Sequence, residues 1–197
     1  GLTSGAARPA VAERLRAYAK AYPRADLVPD ALELADRLEE EAQEDAAWKE
    51  PAEPASLSSE QRTAWLVHHL RDATGNRLPF DGYTSVLPPR GRDAAPAKGP
   101  VADLLAGGKT SIPVLLRLLE DRRPIRASGW GLRRVSAREW TSVLVVLRYQ
   151  DAALEMLNAL LPTPTYERKH TADYLSAEGP ADRTELIADV RRWADET

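Results

Sequence analysis

The chain has 197 residues, 43% hydrophobic and 29% charged, with no cysteine and a formal net charge of −3. That is enough polypeptide for one full core and an ordinary composition for a folded domain, so a single helical domain over residues 8–197 is expected after a disordered lead-in of residues 1–7. Disulfide and thiol chemistry are excluded, no apolar run approaches the ~18 residues of a spanning helix, and the acidic total gives no global reason for nucleic-acid binding.

The opening, GLTSGAARPA, is small-residue rich and reads as the mature end left by a removed signal peptide, which would make this an exported protein. Pro9 starts a first helix running to about Tyr22, with Val11, Leu15, Tyr18 and Ala19 or Tyr22 on one face, and Pro23 stops it. A second helix begins near Pro29-Asp30 and carries Leu32, Leu34, Ala35 and Leu38 into an acidic tract, Glu39-Glu40-Glu41 to Glu44-Asp45. That tract reads as a solvated helix face, with a docking surface for a basic partner as the sharper alternative. Trp48 is expected to fold back on this hairpin.

Pro51 and Pro54 mark a short linker. Ser58-x-x-Gln61 is a capping-box pattern that opens a helix with Thr63, Leu66, Val67 and Leu70 along one side, closed by Gly75. His68 and His69 lie on it about 100° apart, so they cannot chelate one metal together. His69 with Asp72, one turn on, would need a distant third ligand; a histidine partly buried against Trp65 is the plainer reading. Residues 75–100, with Pro79, Pro88-Pro89, Pro96 and Pro100, predict a long irregular loop whose first half packs down through Leu78, Phe80, Tyr83, Val86 and Leu87.

From Val101 to Asp121 the sequence VADLLAGGKTSIPVLLRLLED reads as a helix end, a Gly107-Gly108 break and a second apolar helix. Thr110 or Ser111 is its expected cap and Pro113 sits in its first turn. Ile112, Leu115, Leu116 and Leu119 form a stripe that Val114 and Leu118 widen, which demands cover from two sides. Leu104-Leu105, Gly108, Ile112-Pro113, Leu115-Leu116, Leu119, Asp121 and Arg126 resemble a HEAT-like repeat of the phycobilisome-lyase type, over residues 100–127. The resemblance implies a helix–glycine–proline–helix packing unit tied to its neighbours through the Asp and Arg. It implies no lyase activity, since the repeat carries no catalytic residue.

Beyond it, Ser136-x-x-Glu139 reads as another capping box, opening a helix striped by Trp140, Val143, Leu144 and Leu147. The run Val143–Val146 is β-branched enough for a strand, but no partner strand offers itself nearby, so a helix is expected. Asp151 suits the N-cap of a helix carrying Ala153, Leu154, Leu157, Leu160 and Leu161, which Pro162 ends. Residues 163–178 predict a further helix. Asp182-x-x-Glu185 caps the last one, with Leu186, Ile187, Val190, Trp193 and Ala194 inward. The fold class expected is all-α: stacked antiparallel helical hairpins in an α–α superhelix.

Chemistry is sparse. The segment Arg122–Arg138 gathers Arg122, Arg123, Arg126, Arg133, Arg134 and Arg138 around Trp130, with Gly129 and Gly131 allowing close backbone approach. Guanidinium forks grip carboxylate or phosphate, and a tryptophan stacks beside them. The competing reading makes these arginines structural, paired with Asp121, helix C-termini and the acidic helix. Tyr166, His170 and Tyr174, with Glu167 nearby, recur on one helix face and could set a base beside two phenols, although a packing face explains them as well. Phosphate loops, nucleophile elbows and metal-ligand clusters are missing from the sequence, and no cofactor is expected. The leading expectation is a non-catalytic interaction module that binds an anionic or acidic partner, a protein or an acidic ligand, through an arginine-rich rim. The alternative is a small enzyme with His69 or His170 working beside the 76–90 loop.

Overall fold

The computed structural model describes residues 7–25, 28–53, 56–73, 76–77, 84–87, 98–136, 139–162, 175 and 180–196; at residues 7, 30, 76–77, 84, 126, 128–136, 139–145 and 180 it describes the backbone alone. The chain divides into two compact units, Gly1–Pro54 and Ala55–Thr197. Their boundary falls at the Pro51/Pro54 linker.

The first unit pairs α1 (Ala7–Ala21) with α2 (Val28–Ala47). Its apolar seam is thin: Ala12, Ala35 and Leu38 are buried, with Val11, Leu15 and Leu34 against them. Leu32, expected inside, is exposed, as is Tyr22. Charge makes up what the seam lacks. Arg8 meets Glu41 at 3.1 Å and also pairs with Asp45, while Arg16 reaches Asp36 at 2.8 Å and Glu39 at 2.9 Å. Early α1 therefore faces late α2, an antiparallel hairpin. The acidic tract is no plain solvated face, because the side chains of Arg8 and Glu41 are only 2% and 3% exposed. Both carboxylates on Arg16 hold its guanidinium proton more firmly than usual, and Arg16 in turn holds the Glu39 carboxyl below its usual range.

The second unit packs α3 (Ser59–Leu70) against α4 (Pro100–Ala106), and α5 (Ile112–Leu118) against α6 (Tyr149–Leu160). The paired-helix architecture expected from the sequence is what the structure shows. Two small corrections concern the organising stretch. The helices on either side of the glycine break take different neighbours, α3 and α6, so they are not each other's main partner. The cap at Thr110 or Ser111 does not form: Thr110 Oγ1 instead donates to Gly107 O at 2.8 Å within a 3₁₀ turn, Gly108–Ser111. The break itself is as read. Gly108 has φ +55°, open to glycine, and a Cβ on Gly107 would clash with Ser111 Oγ. Leu115, Leu118, Leu119 and Val114 are buried on one side, with Leu104, Leu154, Met156 and Leu157, and with Leu186, Val190 and Trp193 from α7 (Pro180–Asp195).

The capping box at Ser58 is complete: Ser58 N donates to Gln61 Oε1 at 3.1 Å, and Gln61 N donates to Ser58 Oγ at 3.3 Å. The one predicted for residues 136–139 is not a cap. Residues Pro124–Ser136 form β3 and Glu139–Arg148 form β4, an antiparallel hairpin in which Ser136 and Glu139 are cross-strand partners beside the turn. The all-α expectation fails here, and so does the helix expected over Trp140–Leu147. The β-branched run Val143–Val146 does have a partner strand; it lies immediately upstream, where Gly129, Gly131 and a run of arginines hide any apolar alternation. The helical reading also fails for the ends of two helices. Asp151 is not an N-cap but lies inside α6, with its Oδ2 accepting from Arg148 N at 2.8 Å, and Asp182 lies within the first turn of α7.

Two further strands, β1 (Asn76–Arg77) and β2 (Thr84–Ser85), pair antiparallel inside the predicted loop, and β2 lies beside β3. Val86 is buried, so the first half of that loop packs down where it is described. Leu78, Phe80 and Tyr83, the lead-in 1–6, the second half of the loop at 88–97, and the helix expected over 163–178 lie outside the described residues apart from a buried Leu175. No described helix is long and apolar enough to cross a membrane.

Candidate interaction surface

Backbone bonds at the root of the β3–β4 ribbon show how it is mounted. Gln150 N donates to Asp121 O at 3.0 Å, and Tyr149 N donates to Arg123 O at 3.0 Å. The first amides of α6 are thus satisfied by carbonyls just past α5. Pro124 stands across from Arg148, whose Nη1 donates to Arg122 O at 2.6 Å. The ribbon is an excursion inserted at the connection of the α5–α6 hairpin, and its two ends return to one point.

Side chains reinforce that root. Asp121 accepts from Arg123 Nε at 3.0 and 3.1 Å, from Arg123 Nη2 at 2.6 Å, and from Arg123 N at 3.0 Å. The same guanidinium lies 4.7 Å from the centre of the Tyr149 ring. Tyr149 OH reaches His68 O at 3.5 Å, the carbonyl that also accepts from Arg71 Nε at 2.9 Å. A continuous polar line therefore runs from the ribbon root to the end of α3. Arg123 belongs to this line, so for that residue the structural reading holds.

The remaining arginines of the candidate set sort by position. Arg122 is exposed at the root. Arg126, Trp130, Arg133 and Arg134 all lie on β3, where Trp130 stands across from Leu144, Arg133 across from Thr141 and Arg134 across from Trp140. In a strand, neighbours in sequence fall on opposite faces, so positions 133 and 134 lie on opposite faces of the ladder. Positions 130 and 134 share a face of the ladder instead. Arg138 lies outside the described residues. The insertion carries seven arginines, from Arg122 to Arg148, against the single acid Glu139; it is +6, and the remainder of the chain is −9. Sequence reading found the arginines and missed the ribbon. The alternation of Trp140, Ser142, Leu144 against Trp130, Leu132 is visible only once the two strands are aligned.

Beside the root runs a groove of about 690 Å³ between α3 and α5, lined by Glu60, Thr63, Val67, Pro113, Arg117 and Asp121 among others. It continues past Thr63 and Thr110 into a second hollow of about 300 Å³ near Arg62 and Asp103. Its walls carry both signs of charge, with Glu60, Asp103 and Asp121 opposed by Arg62 and Arg117, and Arg62 lies 3.9 Å from Asp103. Nothing in that lining converges on one ligand chemistry.

Among the described residues, His68 and His69 do not assemble a site. His69 packs on Trp65 with ring centroids 4.7 Å apart, as the plainer reading expected, and sits 3.7 Å from Asp72. His68 meets His69 edge-on at 5.2 Å, and its Nδ1 lies 3.1 Å from Arg71 Nη2. Tyr166, Glu167, His170 and Tyr174 lie outside the described residues. Among the described residues, no three His, Cys, Asp or Glu side chains converge to hold a metal. One titratable group went unnoticed in the sequence. Glu155, half-buried on α6, accepts from Ser85 Oγ at 3.1 Å and Val86 N at 2.8 Å, pinning β2. Burial pushes its carboxyl up, partly offset by those donors. Arginines do pair with acidic side chains in both units, at Arg8, Arg16, Arg123 and Arg191.

Comparison with family models, with curated proteins and with solved structures finds no match to this chain.

Proposed function

We propose that this protein is a non-catalytic helical interaction module that offers its arginine-rich β-ribbon, Arg122–Arg148, to an acidic partner. The observation that carries this reading is the mounting of the ribbon. A +6 insertion is held at its root by Asp121, Arg123 and Tyr149 while the helices behind it form the core. Arg123 serves the mounting; Arg122, Arg126, Trp130, Arg133 and Arg134 are the binding residues assigned here. The acidic remainder of the chain, −9 in sum, argues for a short acidic protein segment over a long polyanion, because neutralising many phosphates takes more positive charge than the ribbon alone supplies. The HEAT-like resemblance supports a packing scaffold of repeated hairpins and adds no activity.

The test is fluorescence anisotropy with a labelled glutamate-rich peptide. Each charge-assisted bond lost costs about 1.5–3 kcal/mol, roughly tenfold in affinity or more. The R133A/R134A variant is therefore expected to bind at least about tenfold more weakly, with an unchanged melting temperature, and binding by the wild type is expected to weaken with salt. Equal affinity of variant and wild type would refute the assignment. A large fall in the variant's thermal stability would make those arginines structural.

A further inference from the structure

Natural sheets guard their edges with lysine, proline, bulges or very short strands, since an unguarded edge pairs with whatever strand arrives. β4 has none of these along its middle. Residues 140–147, WTSVLVVL, contain no charge, no proline and no glycine in a chain that is 29% charged. The register shifts of the ribbon fall at its two ends, between Pro124 and Ser128 and between Arg134 and Ser136. From Ser128–Val146 to Arg134–Trp140 the ladder is regular. Among the described residues β4 has a ladder partner on one side, β3, and β2 lies beside β3. A two-stranded ribbon is marginal by itself in water, and a third strand would add backbone hydrogen bonds along its length.

We infer that the outer edge of β4, over Trp140–Val146, is a docking edge that receives an extended acidic segment of a partner protein as a third antiparallel or parallel strand. This deepens the proposed function and rests on it. Charge selects the occupant. A second copy would bring a +6 ribbon against a +6 ribbon, like charge against like. An acidic strand would lie beside the ribbon that carries Arg133 and Arg134, gaining attraction along with its main-chain bonds. A nucleic acid has no amide ladder to offer. Seven residues of strand span about 24 Å, so the segment recognised is roughly six to eight residues long.

The experiment uses the full chain and a labelled eight-residue peptide of alternating Glu and Val. Two N-methylated versions block the amides on one edge of the peptide or on the other. An added strand bonds through a single edge, so one version is expected to lose at least about tenfold in affinity while the other binds like the parent; two lost bonds at about 1 kcal/mol each suffice. A Lys-Val peptide is expected not to bind. If both N-methylated versions bind like the parent while R133A/R134A still weakens them, the edge inference is overturned and the acidic-partner reading stands. If R133A/R134A leaves the parent peptide's affinity unchanged, both fall. Sedimentation that shows a dimer, displaced by the peptide, would make the occupant a second copy and overturn the acidic segment.

Discussion

The Asp121–Arg123 contact decides whether the ribbon is anchored by its own arginine, and a double-mutant cycle measures it. Asp121 and Arg123 side chains are 17% and 27% exposed, between the solvated pairs that contribute about 0.2–1 kcal/mol and the fully buried ones whose disruption costs about 3–5 kcal/mol. A coupling of about 1–2 kcal/mol follows. Arg123→Ala also removes the contact over the Tyr149 ring, worth about 0.5–1 kcal/mol, and is expected to cost about 2–3 kcal/mol in total. Asp121→Ala leaves the ring contact but removes the carboxylate that accepts from the Arg123 amide at 3.0 Å, with a similar total. The double variant should then cost less than the two single ones added together, by the coupling energy. In urea unfolding this reads as a lower midpoint with unchanged slope, and in a melt as a fall of roughly 5–10 °C. A coupling below about 0.5 kcal/mol, or equal losses for Arg133→Ala and Arg123→Ala, would refute the anchoring.

Three other outcomes follow from the same geometry. Arg8→Ala leaves Glu41 buried without that partner in a unit whose apolar seam is thin, so it is expected to cost about 3–5 kcal/mol and to reduce helical circular dichroism; R8M/E41L should largely restore it. Glu155 has a raised pKa, so its contribution to stability is full below the ordinary carboxylate range and is lost as pH rises through the folded value. Wild type should therefore lose melting temperature between pH 4 and neutrality relative to Glu155→Gln, and parallel profiles for the two would contradict the assignment. Leu115→Ala, at a fully buried position, should cost about 2–5 kcal/mol by urea titration; a cost under about 1 kcal/mol would mean that α5 is not central to the core.

Helix pairing was legible in the sequence because it is written in local terms. The stripe Ile112, Leu115, Leu116 and Leu119 widened by Val114 and Leu118, of which Ile112 and Leu116 are only half-buried, the glycine at 108 with its left-handed backbone, Pro113 in a first turn and the Ser58–Gln61 box each act within one or two turns of chain. The Pro51/Pro54 linker was legible too, but as a link within one helical domain over residues 8–197; that the chain divides there into two compact units came from the tertiary contacts. The ribbon was not legible. Residues 124–136 show no apolar alternation of their own, and residues 139–148 fit a helix as well as a strand until a partner is supplied. Strand identity depends on that cross-strand pairing, which no local window contains. The role of Arg123 had the same fate: the residue type was plain, but only the tertiary contacts show it clamped on Asp121 and Tyr149. Glu41 and Glu155 repeat the point from the acidic side. As letters they belong to a charged helix face, and it took Arg8 in one case and the amide of Val86 in the other to bring them out of water.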